Sequence, residues 1–139
     1  MNESRSGFEQ GCTLLGRVLI ALIFLRSAVG KILNFTTTAT LMASKGMPYP
    51  EYLLVAAIAI ELIGGTALVF GYKVRPAAAV LIVFLVPATL IFHDYWSADA
   101  AHVVNQTTHF FKNVAILGAL VFMMGVGAGP ASVDNRRRY

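Results

Sequence analysis

Charge is scarce in this chain. Of its 139 residues, 13% are charged and 57% hydrophobic, against roughly 25% charged in soluble domains. So few charges cannot clothe a surface that faces water on all sides. Cysteine is scarcer still: Cys12 stands alone, which excludes an intramolecular disulfide and a CxxC redox pair. Any redox role therefore needs a bound cofactor, a quinone or a partner protein. Internal repeats and low-complexity tracts are missing too, and the length suits one domain, residues 1–139.

What the chain has is long apolar runs. Four stand out, residues 12–33, 52–70, 76–92 and 110–126, of 22, 19, 17 and 17 residues. A helix crosses a bilayer core of about 30 Å with roughly 17–25 residues. A soluble bundle would show a polar stripe at helical spacing along each run, and segments such as VLIALIFL and AAAVLIVFLVPATLIF show none. Backbone groups in lipid must be satisfied internally, and the runs are too evenly apolar for barrel strands. The expected fold is all-α, an integral membrane antiparallel four-helix bundle with a basic tail at 130–139.

The first run stays as a helix rather than a cleaved signal peptide, because the stretch before it is not net positive and the run contains Arg17 and Arg26. Lysine and arginine placement orients the bundle. Arg5, Lys73, Arg75 and the triplet Arg136, Arg137, Arg138 share one side; the loops of the other hold Lys45. Both termini are therefore expected in the cytoplasm. The net charge of +4 belongs to topology and anionic lipid headgroups, with no role for nucleic acid. Gly71 is placed to end the second helix and Pro76 to begin the third, a tight hairpin. The outer loops are longer, and Gly46, Pro48 and Pro50 break the first of them, so a structured cap with short helices is expected there.

One carboxylate interrupts the second run, Glu61 in AIAIELIGGTALVF. An ionisable side chain in the bilayer centre costs about 2.5–3.5 kcal/mol and usually faces a partner inside the bundle. The first helix supplies Arg17, Arg26 and Lys31. At about 1.5 Å rise per residue, Glu61 lies roughly 13 Å below the outer end of its helix, Arg26 roughly 10 Å and Arg17 roughly 24 Å, so depth favours Arg26. Phase complicates this: Arg17 and Lys31, fourteen apart, share a face that Arg26 does not. The residues alone leave both pairings open. His93, Lys112 and Asn113 collect with Lys31 at the outer face, giving a polar pocket that opens outward over Glu61.

Plainer roles exist for the same residues. Glu61 with Arg17 or Arg26 could be a structural pair that fixes helix register. His93, His102 and His109, spaced nine and seven apart, match no compact metal motif, so no metal is expected. Tyr95 and Trp96 suit an aromatic belt. Gly64-Gly65 and the Gly125/Gly129 spacing allow close helix approach, within the bundle or in a homo-oligomer.

The stretches GRVLIALIFLRSAVGKI, GMPYP, IELIGGTALVFGYKVRPAA and FFKNVAILGALVFMMGVGAGPASVD, in this order and spacing, resemble the DoxX family of small four-span bacterial and archaeal membrane proteins. The family's recurrent polar positions correspond to Arg17, Gly30, Lys31, Glu61, Arg75, His93, Lys112 and Asn113, and Ser132 to Asp134 to its usual ending. The resemblance favours an inward Arg17/Lys31 face, against the depth ranking. It implies a place in the cytoplasmic membrane and a link to oxidoreductase complexes, since the family name comes from a thiosulfate:quinone oxidoreductase subunit. A quinone headgroup on Lys31, His93 or Lys112, with Glu61 as proton carrier, is the implied mechanism. The rival expectation is a non-catalytic module that binds a lipid or small hydrophobic ligand, or assembles a larger enzyme. Transport is disfavoured, because four short spans leave little room for alternating access.

Overall fold

The computed structural model describes residues 7–136; Arg5, Arg137 and Arg138, used above for orientation, lie outside the described residues. Six α-helices follow in order: α1 Gly7–Leu33, α2 Phe35–Ser44, α3 Pro50–Phe70, α4 Val74–Phe92, α5 Val103–Val126 and α6 Val133–Arg136, with a 3-10 turn at Tyr95–Ser97. Strands are absent among the described residues. Four of the helices, α1, α3, α4 and α5, are long and apolar enough to cross a membrane. Large apolar side chains point outward from them, Ile63 at 72% exposure and Val83 at 74%, a surface that lipid tolerates and water does not.

Apolar content marks where a helix meets lipid rather than where it starts. The helix α5 begins at Val103, seven residues before the run that starts at Phe110. Its polar first turns hold because Thr107 and Thr108 donate their hydroxyls to the Val103 and Val104 carbonyls. Likewise α1 starts at Gly7 and α4 at Val74, so Pro76 sits inside the first turn of α4 rather than opening it. Proline is tolerated there, since first-turn N–H groups have no helical partner. Gly71 does end α3, in a left-handed conformation.

Packing runs in sequence: α1 lies along α3, α3 against α4, and α4 against α5, with α2 folded onto α3. Small residues set the spacing. A Cβ on Gly65 would stand 2.9 Å from the Leu25 side chain, and one on Gly64 2.8 Å from Leu81, so both neighbours of α3 approach closer than alanine allows. The main core gathers Leu68, Val74, Leu81 and Leu120 toward the α3–α4 turn, hereafter the tail end. A smaller cluster, Ala39, Met42 and Leu54, joins α2 to the start of α3 at the opposite, loop end.

The chain after α5 folds back over the α3–α4 turn. The Asp134 carboxylate accepts the N–H groups of Lys73 (2.7 Å) and Val74 (3.0 Å), while its own N–H donates to the Gly71 carbonyl at 2.9 Å. A carboxylate on the first N–H groups of α4 satisfies donors that the helix leaves open and complements its dipole. Arg75 donates to the Gly125 carbonyl at the end of α5. The described part of the expected tail, residues 130–136, is thus a built cap, held by Arg17 of α1 at the Ala131 carbonyl and by Asp134 on the α3–α4 turn.

Candidate functional site

Glu61 sits in the middle of α3, and its neighbour is Lys31. The Lys31 ammonium lies 2.9 Å from both carboxylate oxygens and also donates to the Ser27 hydroxyl at 2.5 Å. The Glu61 side chain is 4% exposed and that of Lys31 24%. All three ammonium protons are therefore engaged, and the pair joins α1 to α3.

The expected partners, Arg26 or Arg17, are both corrected. Gly65 packs beside Leu25 and the Ala21 carbonyl, so in this antiparallel pair Glu61 is level with about Ser27. Arg26 has the right depth but the wrong phase: it is exposed, roughly 100° around the helix from Ser27. Lys31 starts one turn higher, about 6 Å along the axis, and its long side chain reaches back down that turn. Ranking by Cα depth alone left out this reach.

Arg17 shares the inward face with Lys31, along with Ala21, Phe24 and Ala28. It belongs, however, to the tail end. Its guanidinium donates to the carbonyls of Ala128, Ala131 (2.8 Å) and Val69 (3.4 Å), and the residue is 3% exposed. It clamps the C-terminal segment onto α3 and is no part of a pocket around Glu61.

The remaining expected residues meet at the loop end. Asn113 donates its amide to the Thr89 hydroxyl at 3.0 Å, and Thr89 donates to the Leu85 carbonyl at 2.7 Å; both residues are buried. The His93 and His109 rings stack with centroids 5.2 Å apart. His93 Nδ1 lies 3.0 Å from the Gln106 amide oxygen, and Lys112 Nζ lies 3.0 Å from His109 Nδ1. His102 stands apart, hydrogen-bonded to Asp99. Tyr95 and Trp96 pack edge-on against Phe110 at 5.1 and 5.9 Å, an aromatic cluster at this end. Lys45, just past α2, pairs with Asp94 at 2.9 Å, which ties the α2 segment to the end of α4.

These groups surround a cavity of about 750 Å³, within the usual range of ligand sites, roughly 300–1,000 Å³. Its polar wall comprises Ser27, Lys31, Glu61, His93, Lys112 and Asn113, with Arg26 on its border; the rest is largely apolar, including Phe84, Pro87 and Ile116. Residues of α2, among them Thr38 and Met42, cover the loop side. The helix α2 lies in the loop where a structured cap with short helices is expected; Ser27, Thr89 and Gln106 were not singled out from the sequence. Ser27 had a signal, four residues before Lys31 on the same face, whereas Thr89 and Gln106 had none without the fold.

Comparisons with known proteins agree with this architecture. A family model described as DoxX matches residues 12–94. The inner membrane protein YphA of Escherichia coli is 32% identical over 123 residues, covering 88% of each chain. Inner membrane protein YqjF of the same organism is 30% identical over 122 residues, again 88% of each. A Surfeit locus protein 4 homolog of Schizosaccharomyces pombe is 28% identical over 90% of this chain but 37% of its own length. No solved structure matches. With more than half of the chain under the family model, and that stretch carrying both Lys31 and Glu61, the protein belongs to the DoxX family of integral membrane proteins.

Proposed function

We propose that the cavity over Glu61 binds a small amphiphile, and that the protein works as a single-domain subunit or partner of a membrane oxidoreductase system with a quinone as its candidate ligand. The observation that carries this reading is the cavity itself: about 750 Å³ in the loop half of the bundle, apolar on most sides, with a charged pair on one wall. A bundle that needed Glu61 and Lys31 merely as a rivet would gain from closing over them.

The residues fit a quinone. Its carbonyl oxygens accept hydrogen bonds, and Lys112 and Asn113 bring N–H groups to the wall beside His93, whose Nδ1 faces Gln106, while Phe84, Pro87 and Ile116 suit an isoprenoid chain. Lys31 is a poorer donor, because Glu61 and Ser27 already take its protons. A bound quinone would supply two-electron, two-proton redox chemistry. Glu61 is the group placed to hold or release a proton beside it. The likeness to the inner membrane proteins YphA and YqjF and the placement of Lys73, Arg75 and Arg136 at the tail end support a bacterial or archaeal cytoplasmic membrane with both termini inside.

A second reading, a non-catalytic assembly module, is favoured by one observation: the Glu61 carboxylate is nearly shielded and fully paired. The two separate in native mass spectrometry with quinone and lipid extraction from gently purified protein. The ligand reading expects a stoichiometric quinone on the wild type, lost when Ala88→Trp fills the cavity while the fold survives. Wild-type protein that carries no small molecule, with an Ala88→Trp variant that is simply as stable or more so, would leave the assembly role standing.

A further inference from the structure

The geometry points to an anionic, single-chain amphiphile, entering sideways from the bilayer, as the class of ligand this cavity selects. This rests on the cavity being a ligand site for a small amphiphile, and sets a charged headgroup in place of the neutral quinone as its occupant.

Charge is the first observation. The charged residues on the cavity are Arg26, Lys31, Glu61 and Lys112. Lys31 and Glu61 neutralise each other at 2.9 Å. Among the described residues the ion pairs are Lys31–Glu61, Lys45–Asp94 and His102–Asp99, which leaves Arg26 and Lys112 without a carboxylate. The contact of Lys112 is the ring nitrogen of His109, which supplies no negative charge. At the rim of an apolar cavity an uncompensated cation attracts an anion more strongly than in bulk water, and a headgroup carboxylate or phosphate would take the place that no side chain fills.

Access is the second. The closely packed helix pairs run α1·α3, α3·α4 and α4·α5, with α1·α5 not among them. The cavity draws its wall from both α1 and α5, and Arg26 on α1 and Lys112 on α5 are each exposed as well as lining it. Exposed on one side and lining the cavity on the other, they mark the side between α1 and α5 as the way in. Meanwhile α2 covers the loop side. Such a way in admits a molecule already dissolved in the membrane.

Size is the third. At about 30 Å³ per water-sized group, 750 Å³ holds roughly 25 non-hydrogen groups. One long acyl chain with its headgroup fits within that; the two chains of a phospholipid do not. Lys112 and the Asn113 amide would hold the headgroup, with the chain along the apolar wall.

The test compares hexadecanoate, hexadecanol, a short-chain ubiquinone and dioleoyl phosphatidylglycerol for binding to the full-length protein in maltoside detergent, by calorimetry and native mass spectrometry. Hexadecanoate should bind one to one and about tenfold more tightly than hexadecanol, the effect of one charge-assisted hydrogen bond. Lys112→Gln should remove that preference while leaving hexadecanol unchanged, and Lys112→Arg should keep it. Equal binding of acid and alcohol, or quinone binding without hexadecanoate binding, overturns the anionic class yet leaves a ligand site. A bound phospholipid overturns the single-chain assignment. If none of the four binds, the ligand site itself falls.

Discussion

Removing the Lys31 ammonium should destabilise the bundle far more than removing both members of its pair. At 2.9 Å and an effective dielectric constant of about 20, the attraction is about 6 kcal/mol, most of it offset by taking both charges out of water. The pair as a unit is therefore worth little, but a lone Glu61 at 4% exposure keeps the desolvation cost and loses the attraction. Breaking such a pair costs about 3–5 kcal/mol. Lys31 borders a cavity and is 24% exposed, which places Lys31→Met near the low end, about 3 kcal/mol at neutral pH. Glu61→Gln keeps shape and an acceptor for Lys31 and Ser27 and should cost about 1–2 kcal/mol. The double variant should be little worse than Glu61→Gln alone, a coupling of roughly 2–3 kcal/mol. Reversible unfolding in mixed micelles measures all four corners of the cycle. Additivity within about 0.5 kcal/mol would refute the claim that these two side chains stabilise each other.

Two further outcomes follow from other parts of the chain. Gly71 has φ +66°, and a Cβ there would lie 2.5 Å from Ser132 Cβ and 2.9 Å from the Arg17 guanidinium carbon; Gly46 has φ +76° with open space around it. Gly46→Ala should cost the left-handed strain, about 1–2 kcal/mol, and Gly71→Ala that plus about 1–3 kcal/mol of overpacking, so equal losses in the same unfolding assay would refute the tail packing. Asp99, between the 3-10 turn and α5, is held below the ordinary carboxylate value of 3.8 chiefly by the His102 side chain hydrogen bond. A depressed folded value means its contribution is present above pH 3.8 and lost as pH falls through the lower value; the Ala101 and His102 amides, which donate to it, should shift in an NMR titration with a midpoint below 3.8, and a midpoint above it would contradict the contact.

Much of this protein is written in its composition. Four apolar runs fix four spans because lipid accepts no unpaired backbone and no scattered charge. The fourteen-residue interval between Arg17 and Lys31 fixes that they share a face, and the structure turns that face inward. Glu61 had to meet a cation of α1, since a lone carboxylate in α3 is too costly. Which cation it meets was settled by tertiary structure, because the close approach at Gly65 sets the register between α1 and α3 and side-chain reach then selects Lys31 over Arg26. The same holds for Arg17, whose partners are backbone carbonyls of a segment more than a hundred residues away. No local pattern encodes that contact. The cavity, finally, is a property of the assembly: its wall is drawn from α1, α2, α3, α4 and α5 together, and no single helix carries a mark of the space it leaves.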